Sequence, residues 1–345
     1  MRLRFCMALA LVAALVGVSS AETNLNGAGA TFPNPIYSKW FSEYNNQHPD
    51  IKINYQSIGS GGGIKQLQSG TVDFGASDGP MTDEQLAQTP GKVFHIPTVL
   101  GAVVPTYNVA GVSSDLKFTG DVLADIFLGN IKKWNDPRLA KANPGVKFPD
   151  ADIVVVHRSD GSGTTYIWTD YLSKVSPAWK DKVGKGTSVN WPVGLGGKGN
   201  EGVSGTVKQT EGSIGYVELI YALSNKMSYG TVQNAGGAFV KASLESVTAA
   251  AASVKDMPDD FRVSITNAPG KDAYPISSFT WLLVPAEWAD AGKQKAFVDF
   301  LNWMVDKGQS MTSALEYAPL PKAVAQKVKA RIKEIKVKAG QSAQK

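Results

Sequence analysis

The sequence predicts an α/β protein of two domains built on largely parallel sheets. Three observations predict it. Apolar stripes at helical spacing alternate with short β-branched runs. Glycine-rich turns recur between a strand pattern and a helix pattern. The 345 residues exceed what one hydrophobic core usually serves, so two domains are expected rather than one.

The chain begins with Arg2 and Arg4 ahead of an apolar run from Phe5 to Val18 that ends in the small residues Ser19, Ser20 and Ala21. This pattern reads as an export signal over residues 1–21, cleaved after Ala21. The run is shorter than the roughly 20 residues needed to cross a bilayer, and no later window is both long enough and free of charge. A soluble mature chain without membrane insertion is therefore expected. The single cysteine, Cys6, falls inside the signal and lacks the small-residue setting of a lipidated cysteine. With 43% hydrophobic residues, a chain of this length can fold without disulfides.

Tyr37, Trp40, Phe41 and Tyr44 share one face of a helix opened by Pro33 and Pro35, and Ile51, Ile53 and Tyr55 alternate as a strand. Thr82 with Gln85 is a capping box opening a further helix. Ile153 to Val156 are four consecutive branched apolar residues, expected as a central strand covered on both faces. Ser277 to Val284 reads as another strand, followed by a helix with Phe297, Phe300, Leu301 and Met304 on one side. A last helix carries Val324, Val328, Ile332 and Ile335 as its apolar stripe, with Lys327, Lys329, Arg331, Lys333 and Lys336 as a solvated face. The balance of 35 Lys and Arg against 30 Asp and Glu does not imply nucleic acid. No long linker is visible. Crossings near Gly101 to Tyr107 and Tyr274 to Ser278 would make one domain discontinuous, 22–103 with 276–345, and 104–275 the other.

Three segments place glycines and small hydroxyl residues between a predicted strand and a predicted helix. They are Asn26 to Pro33, Ser57 to Gly63 and His157 to Thr165. Helix starts carry spare N–H donors and partial positive charge, so three aimed at one place make an anion site with few cations. The hydroxyls of Thr31, Ser60, Ser162 and Thr164 add donors. Arg158 supplies one fixed charge, and Asp160 is placed to hold its guanidinium. Asp78 is the exception, because a carboxylate among donors repels an anion unless the ligand carries a proton to give. A protonated phosphate can donate to it, whereas fully ionised sulfate offers only acceptors.

Five words, GAGATFP (Gly27 to Pro33), NYQSIGSGGGIKQ (Asn54 to Gln66), VDFGASD (Val72 to Asp78), RSDGSGT (Arg158 to Thr164) and WPVGLGGKGNEG (Trp191 to Gly202), together with GSIGYVE and YAPLP, closely resemble the periplasmic phosphate-binding proteins of the Pst importer. The resemblance spans nearly the whole mature chain. It implies a type 2 periplasmic-binding fold of two hinge-closing lobes, each a mostly parallel sheet flanked by helices, with the ligand cleft between them. It further implies inorganic phosphate as ligand and a membrane permease with its ATPase as partners of a periplasmic monomer. Carried over residue by residue, the ligand contacts fall on Thr31, Phe32 through its amide, Ser60, Asp78, Arg158, Ser162, Gly163 and Thr164, with Asp160 pairing the arginine. His157 departs from relatives with a second arginine there, and Gly61 from relatives with serine.

Gly194, Gly196 and Gly199 match the spacing of a dinucleotide loop but follow Trp-Pro, so this stretch is expected to be a plain loop that binds no cofactor. Ser162 lacks the glycine that a nucleophile elbow needs two residues earlier, where Asp160 stands. His48, His95 and His157 show no metal-ligand spacing. No enzyme chemistry is expected. A receptor for sulfate or molybdate, a secreted phosphoester hydrolase and a scavenger without an importer remain as alternatives.

Overall fold

The computed structural model describes residues 22–112 and 115–339. The expected export signal and Cys6 lie outside the described residues. Among those residues, no helix is long and apolar enough to cross a membrane.

Eight strands form the path of the main sheet: β1 (Thr23–Gly29), β2 (Ile51–Ser57), β3 (Phe74–Ser77), β4 (Val93–Asn108), β5 (Val154–Arg158), β6 (Leu195–Gly197), β7 (Ser213–Glu218) and β8 (Ser277–Pro285). Their order is β2-β1-β3-β8-β4-β7-β5-β6. In the first half β1, β2, β3 and β4 point one way, and β8 runs against them between β3 and β4. In the second half β7, β5 and β6 are parallel. The strand β4 belongs to both halves. Its residues Val93 to Ala102 pair with β8, and Val103 to Asn108 pair with β7. This is the two-lobed periplasmic-binding architecture, with each lobe's sheet mostly parallel and flanked by helices.

The helices that matter to the site start directly after strands: α1 (Asn34–Gln47) after β1, α2 (Ser60–Gln68) after β2, α4 (Gly163–Val175) after β5 and α5 (Gly199–Gln209) after β6. Between them, α3 (Asp83–Ala87) carries the capping box, with Thr82 and Gln85 bonding each other's backbone as the spacing predicts. Proline in the first turn fits α1, since that N–H has no helical partner. Its Tyr37, Phe41 and Tyr44 interlock with Tyr55, Phe74 and with Phe300 of α6 (Ala291–Asp306), the helix expected after β8. In the other lobe Trp168, Tyr216, Phe127 and Trp191 pack together, with the Trp168 and Tyr216 rings stacked at 5.0 Å.

Three readings of the sequence are corrected. The Ile153 to Val156 run is not central: β5 is next to last, flanked outward only by the three-residue β6, which leaves Val154 half-buried. The stretch from Gly194 to Gly199 is not a plain loop. Leu195 to Gly197 pair with β5 in parallel, and α5 starts at Gly199, whose φ of +71° makes the turn. The basic face of the last helix, α7 (Lys322–Ile332), is not merely solvated. Lys327 donates to the Met257 carbonyl at 2.8 Å, and Arg331 donates to the Asp259 carbonyl at 2.8 Å while lying over the Phe94 ring.

Candidate functional site

Thr31, Ser60, Asp78, Arg158, Ser162 and Thr164 are all buried. They come from strand ends and helix starts of both lobes, and short contacts link them. The Asp78 N–H reaches Ser60 Oγ at 3.3 Å. Thr164 Oγ1 accepts from Arg158 Nη1 at 3.4 Å, and Ser162 Oγ caps α4 by accepting from the Thr165 N–H at 3.0 Å. The lobes touch at the backbone, where the Gly61 N–H donates to the Gly161 carbonyl at 2.8 Å.

Glycine is required at two points of closest approach. A Cβ on Gly59 would lie 2.3 Å from Asp160 Oδ2, and Gly59 has φ +89°. A Cβ on Gly163 would lie 2.5 Å from both Asp78 Oδ2 and Ser60 Oγ, so any side chain there would fill the space between the two lobes' polar groups.

The first loop is oriented by tyrosines. Tyr55 donates to the Ala30 carbonyl at 2.7 Å, Tyr221 to the Thr31 carbonyl at 2.6 Å and Tyr317 to the Phe32 carbonyl at 2.6 Å. In a trans peptide the N–H points opposite to the carbonyl of the preceding residue. Fixing the Ala30 and Thr31 carbonyls therefore fixes the N–H groups of Thr31 and Phe32 on the other side. Phe32 itself packs its ring against Tyr317.

Arg158 is only 3% exposed. Its Nε donates to Asp160 Oδ1 at 2.8 Å and its Nη2 to Asp160 Oδ2 at 2.5 Å, a planar two-point pair that leaves Nη1 on the Thr164 side. Asp160 also accepts from the Gly199 N–H at 3.0 Å. Burial works to raise the Asp160 pKa, but the bonds and charge of Arg158 outweigh it and hold the carboxyl below its usual range. His157, one residue earlier on β5, stacks on Trp191 at 4.7 Å.

Asp78 is 1% exposed. Its Oδ1 accepts from Thr280 Oγ1 at 2.7 Å, while its Oδ2 is buried without a partner among the described residues. Burial raises its pKa to about 7, with the Thr280 hydroxyl and the Arg158 charge pulling the other way. Thr280 sits where the β8–β4 register shifts, beside the extra residue Thr98 of β4. A second carboxyl, Glu218, is also buried, with Oε2 accepting from the Ile220 N–H and Oε1 unpaired; burial raises its pKa well above the usual range, and the neighbouring Asp78 adds to this.

Asn200, Thr280, Glu218 and the three tyrosines are not among the residues expected from the sequence. Asn200 is the second residue of α5, just after the Gly199 turn, in a loop whose preceding strand leaves no pattern in the sequence. Strand β6 is too short for its period to show. Thr280 and the tyrosines carry no local signal, being brought in from 25 to 285 positions away.

The assembly offers N–H and O–H donors and one guanidinium around the unpartnered Oδ2 of Asp78. It suits a compact ligand rich in acceptors that has one proton to donate. Among the described residues no group of three or more His, Cys, Asp or Glu could hold a metal ion.

Residues 17–307 match the family model described as PBP superfamily domain. The phosphate-binding protein PstS of Xylella fastidiosa strain Temecula1 is 50% identical over 311 residues, covering 90% of this chain and 85% of the relative. PstS of Pasteurella multocida is 46% identical over 339 residues, covering 97% and 98%. Among solved structures, a putative phosphate transporter substrate-binding protein from Clostridium perfringens with bound phosphate superposes with TM-score 0.63 at 18% identity, covering 87% of this chain and 100% of that one. A periplasmic phosphate-binding DING protein with bound phosphate gives 0.71 at 21%, covering 89% and 93%.

Proposed function

This chain belongs to the PstS family of phosphate-binding proteins, and from that premise we propose that its two lobes close on one inorganic phosphate, which it delivers to an ABC importer. The lobes are 22–103 with 276–345, and 104–275, joined where β4 changes partner and just before β8. Thr31, Phe32, Ser60 and Asp78 bind from the first lobe, and Arg158, Ser162, Gly163 and Thr164 from the second. Contacts from both lobes exist together only in the closed form, so phosphate shifts the population toward it. That form is the one a membrane permease with its ATPase would recognise. The chain acts in the periplasm after its leader is removed.

The observation that carries the specificity is Asp78 Oδ2, a buried carboxylate oxygen without a partner. A hydrogen phosphate ion can donate to it; sulfate cannot. We also propose that the site does no covalent chemistry, since Ser162 Oγ accepts from the Thr165 N–H and among the described residues no histidine bonds to it. Calorimetry of the mature chain with phosphate and sulfate is the direct test. Phosphate should bind and sulfate should be at least ~100-fold weaker, the size expected for an unpaired buried repulsion. Equal affinities would defeat the reading. Arg158→Ala should weaken phosphate binding by about 1.5 kcal/mol or more, measured in the same titration.

A further inference from the structure

Asn200 is fully buried and held from two sides. Its Oδ1 accepts from the Glu218 N–H at 2.9 Å, which fixes the amide so that Nδ2 faces the other way. Nδ2 then donates to Thr31 Oγ1 at 2.7 Å and to Thr164 Oγ1 at 3.2 Å. The Asn200 N–H donates to Thr31 Oγ1 as well, at 3.3 Å. Thr31 lies in the lobe of β1, whereas Thr164 and Asn200 lie in the lobe of β5.

A hydroxyl oxygen has two lone pairs and one hydrogen. Thr31 Oγ1 receives two donors, both from Asn200; Thr164 Oγ1 also receives two, from Asn200 and from Arg158 Nη1. With both acceptor positions occupied, each hydroxyl hydrogen is left one direction, and among the described residues neither donates to the protein. We propose that Asn200 is a positioning residue that presets the Thr31 and Thr164 hydroxyls as donors to phosphate and ties that setting to lobe closure. This rests on the phosphate-receptor reading of the site. Asn200 need not touch the ligand. It removes the rotor freedom that two buried hydroxyls would otherwise lose on binding, and it prevents either threonine from acting as an acceptor toward a protonated face of the ligand.

The test is a set of phosphate titrations, with the thermal midpoint of each ligand-free chain measured alongside. Asn200→Ala should weaken binding at least ~10-fold in the wild-type background, and the same change should lose at least ~3-fold of that penalty when made on Thr31→Val, because the hydroxyl it orients is gone. Asn200→Asp keeps an acceptor for the Glu218 N–H but turns the donor into a second acceptor. It should lose ~100-fold or more in affinity while the ligand-free midpoint stays near wild type. Equal penalties for Asn200→Ala in both backgrounds, or Asn200→Asp binding within about twofold of wild type, would overturn the positioning role. A wild-type chain that takes up no phosphate would instead bring down the receptor reading, and this inference with it.

Discussion

At the scale of single residues, Asp78 has a pH signature. Its pKa is raised to about 7 from 3.8, so below about 3.8 the closed form has lost nothing by burying it. Between about pH 4 and pH 7 the unfolded carboxyl ionises ahead of the buried one, whose carboxylate keeps only the Thr280 hydroxyl on Oδ1, and stability worth on the order of 4 kcal/mol is withdrawn. Ligand-free wild-type protein should therefore melt lower, or open, between pH 5 and pH 8, whereas Asp78→Asn should not. Melting curves with small-angle scattering at both pH values check this, and a parallel slope in the variant would count against it. The same variant should bind sulfate relatively better. Tyr317→Phe removes the donor to the buried Phe32 carbonyl. It should lower stability by about 1–3 kcal/mol in denaturant melts, because a buried carbonyl is left without its donor.

At the scale of elements, helix starts supply the site's N–H groups, and their placement depends on what each helix is fixed to. Helix α4 starts at a glycine for want of space, so Gly163→Ala should reduce phosphate affinity more than ~100-fold, since a Cβ there cannot coexist with Asp78 and Ser60 in the closed form. The ligand-free midpoint should change little, because an open form has room for the methyl; a large drop would show that the glycine serves folding instead. Further along α4, Asp170 accepts from Lys185 at 2.7 Å, Ser264 at 2.6 Å and Thr266 at 2.6 Å, tying the helix to the segment before β8. Burial opposes its charge, but these donors win and bring its pKa down to about 2. Its contribution is therefore present above about pH 4 and lost as pH falls toward 2. Asp170→Asn should cost about 2 kcal/mol at neutral pH in denaturant titration and should flatten the acid limb. The three expected strand-to-helix loops were legible because glycine and hydroxyl residues sit between patterns of different period. The fourth was not, since a three-residue edge strand has too few side chains to show alternation.

At the scale of the whole molecule, the two halves share β4 and meet across the site through Gly61 and Gly161, Asn200 and Thr31, and Arg262 with Asp83 at 2.7 Å. Phosphate should lower the radius of gyration in small-angle scattering, and a ligand-independent value would remove hinge closure from the mechanism. From sequence alone came the alternation of helix and strand, the turns, the one cation and the one discordant acid, because these are local patterns of period, glycine and charge. Only the tertiary structure decided which hydroxyls and carbonyls are already engaged, that β5 lies beside the sheet's edge, and that Thr280, Asn200 and three tyrosines complete the site. Those contacts join residues far apart in the chain, and the burial that gives Asp78 its character exists only once both lobes surround it.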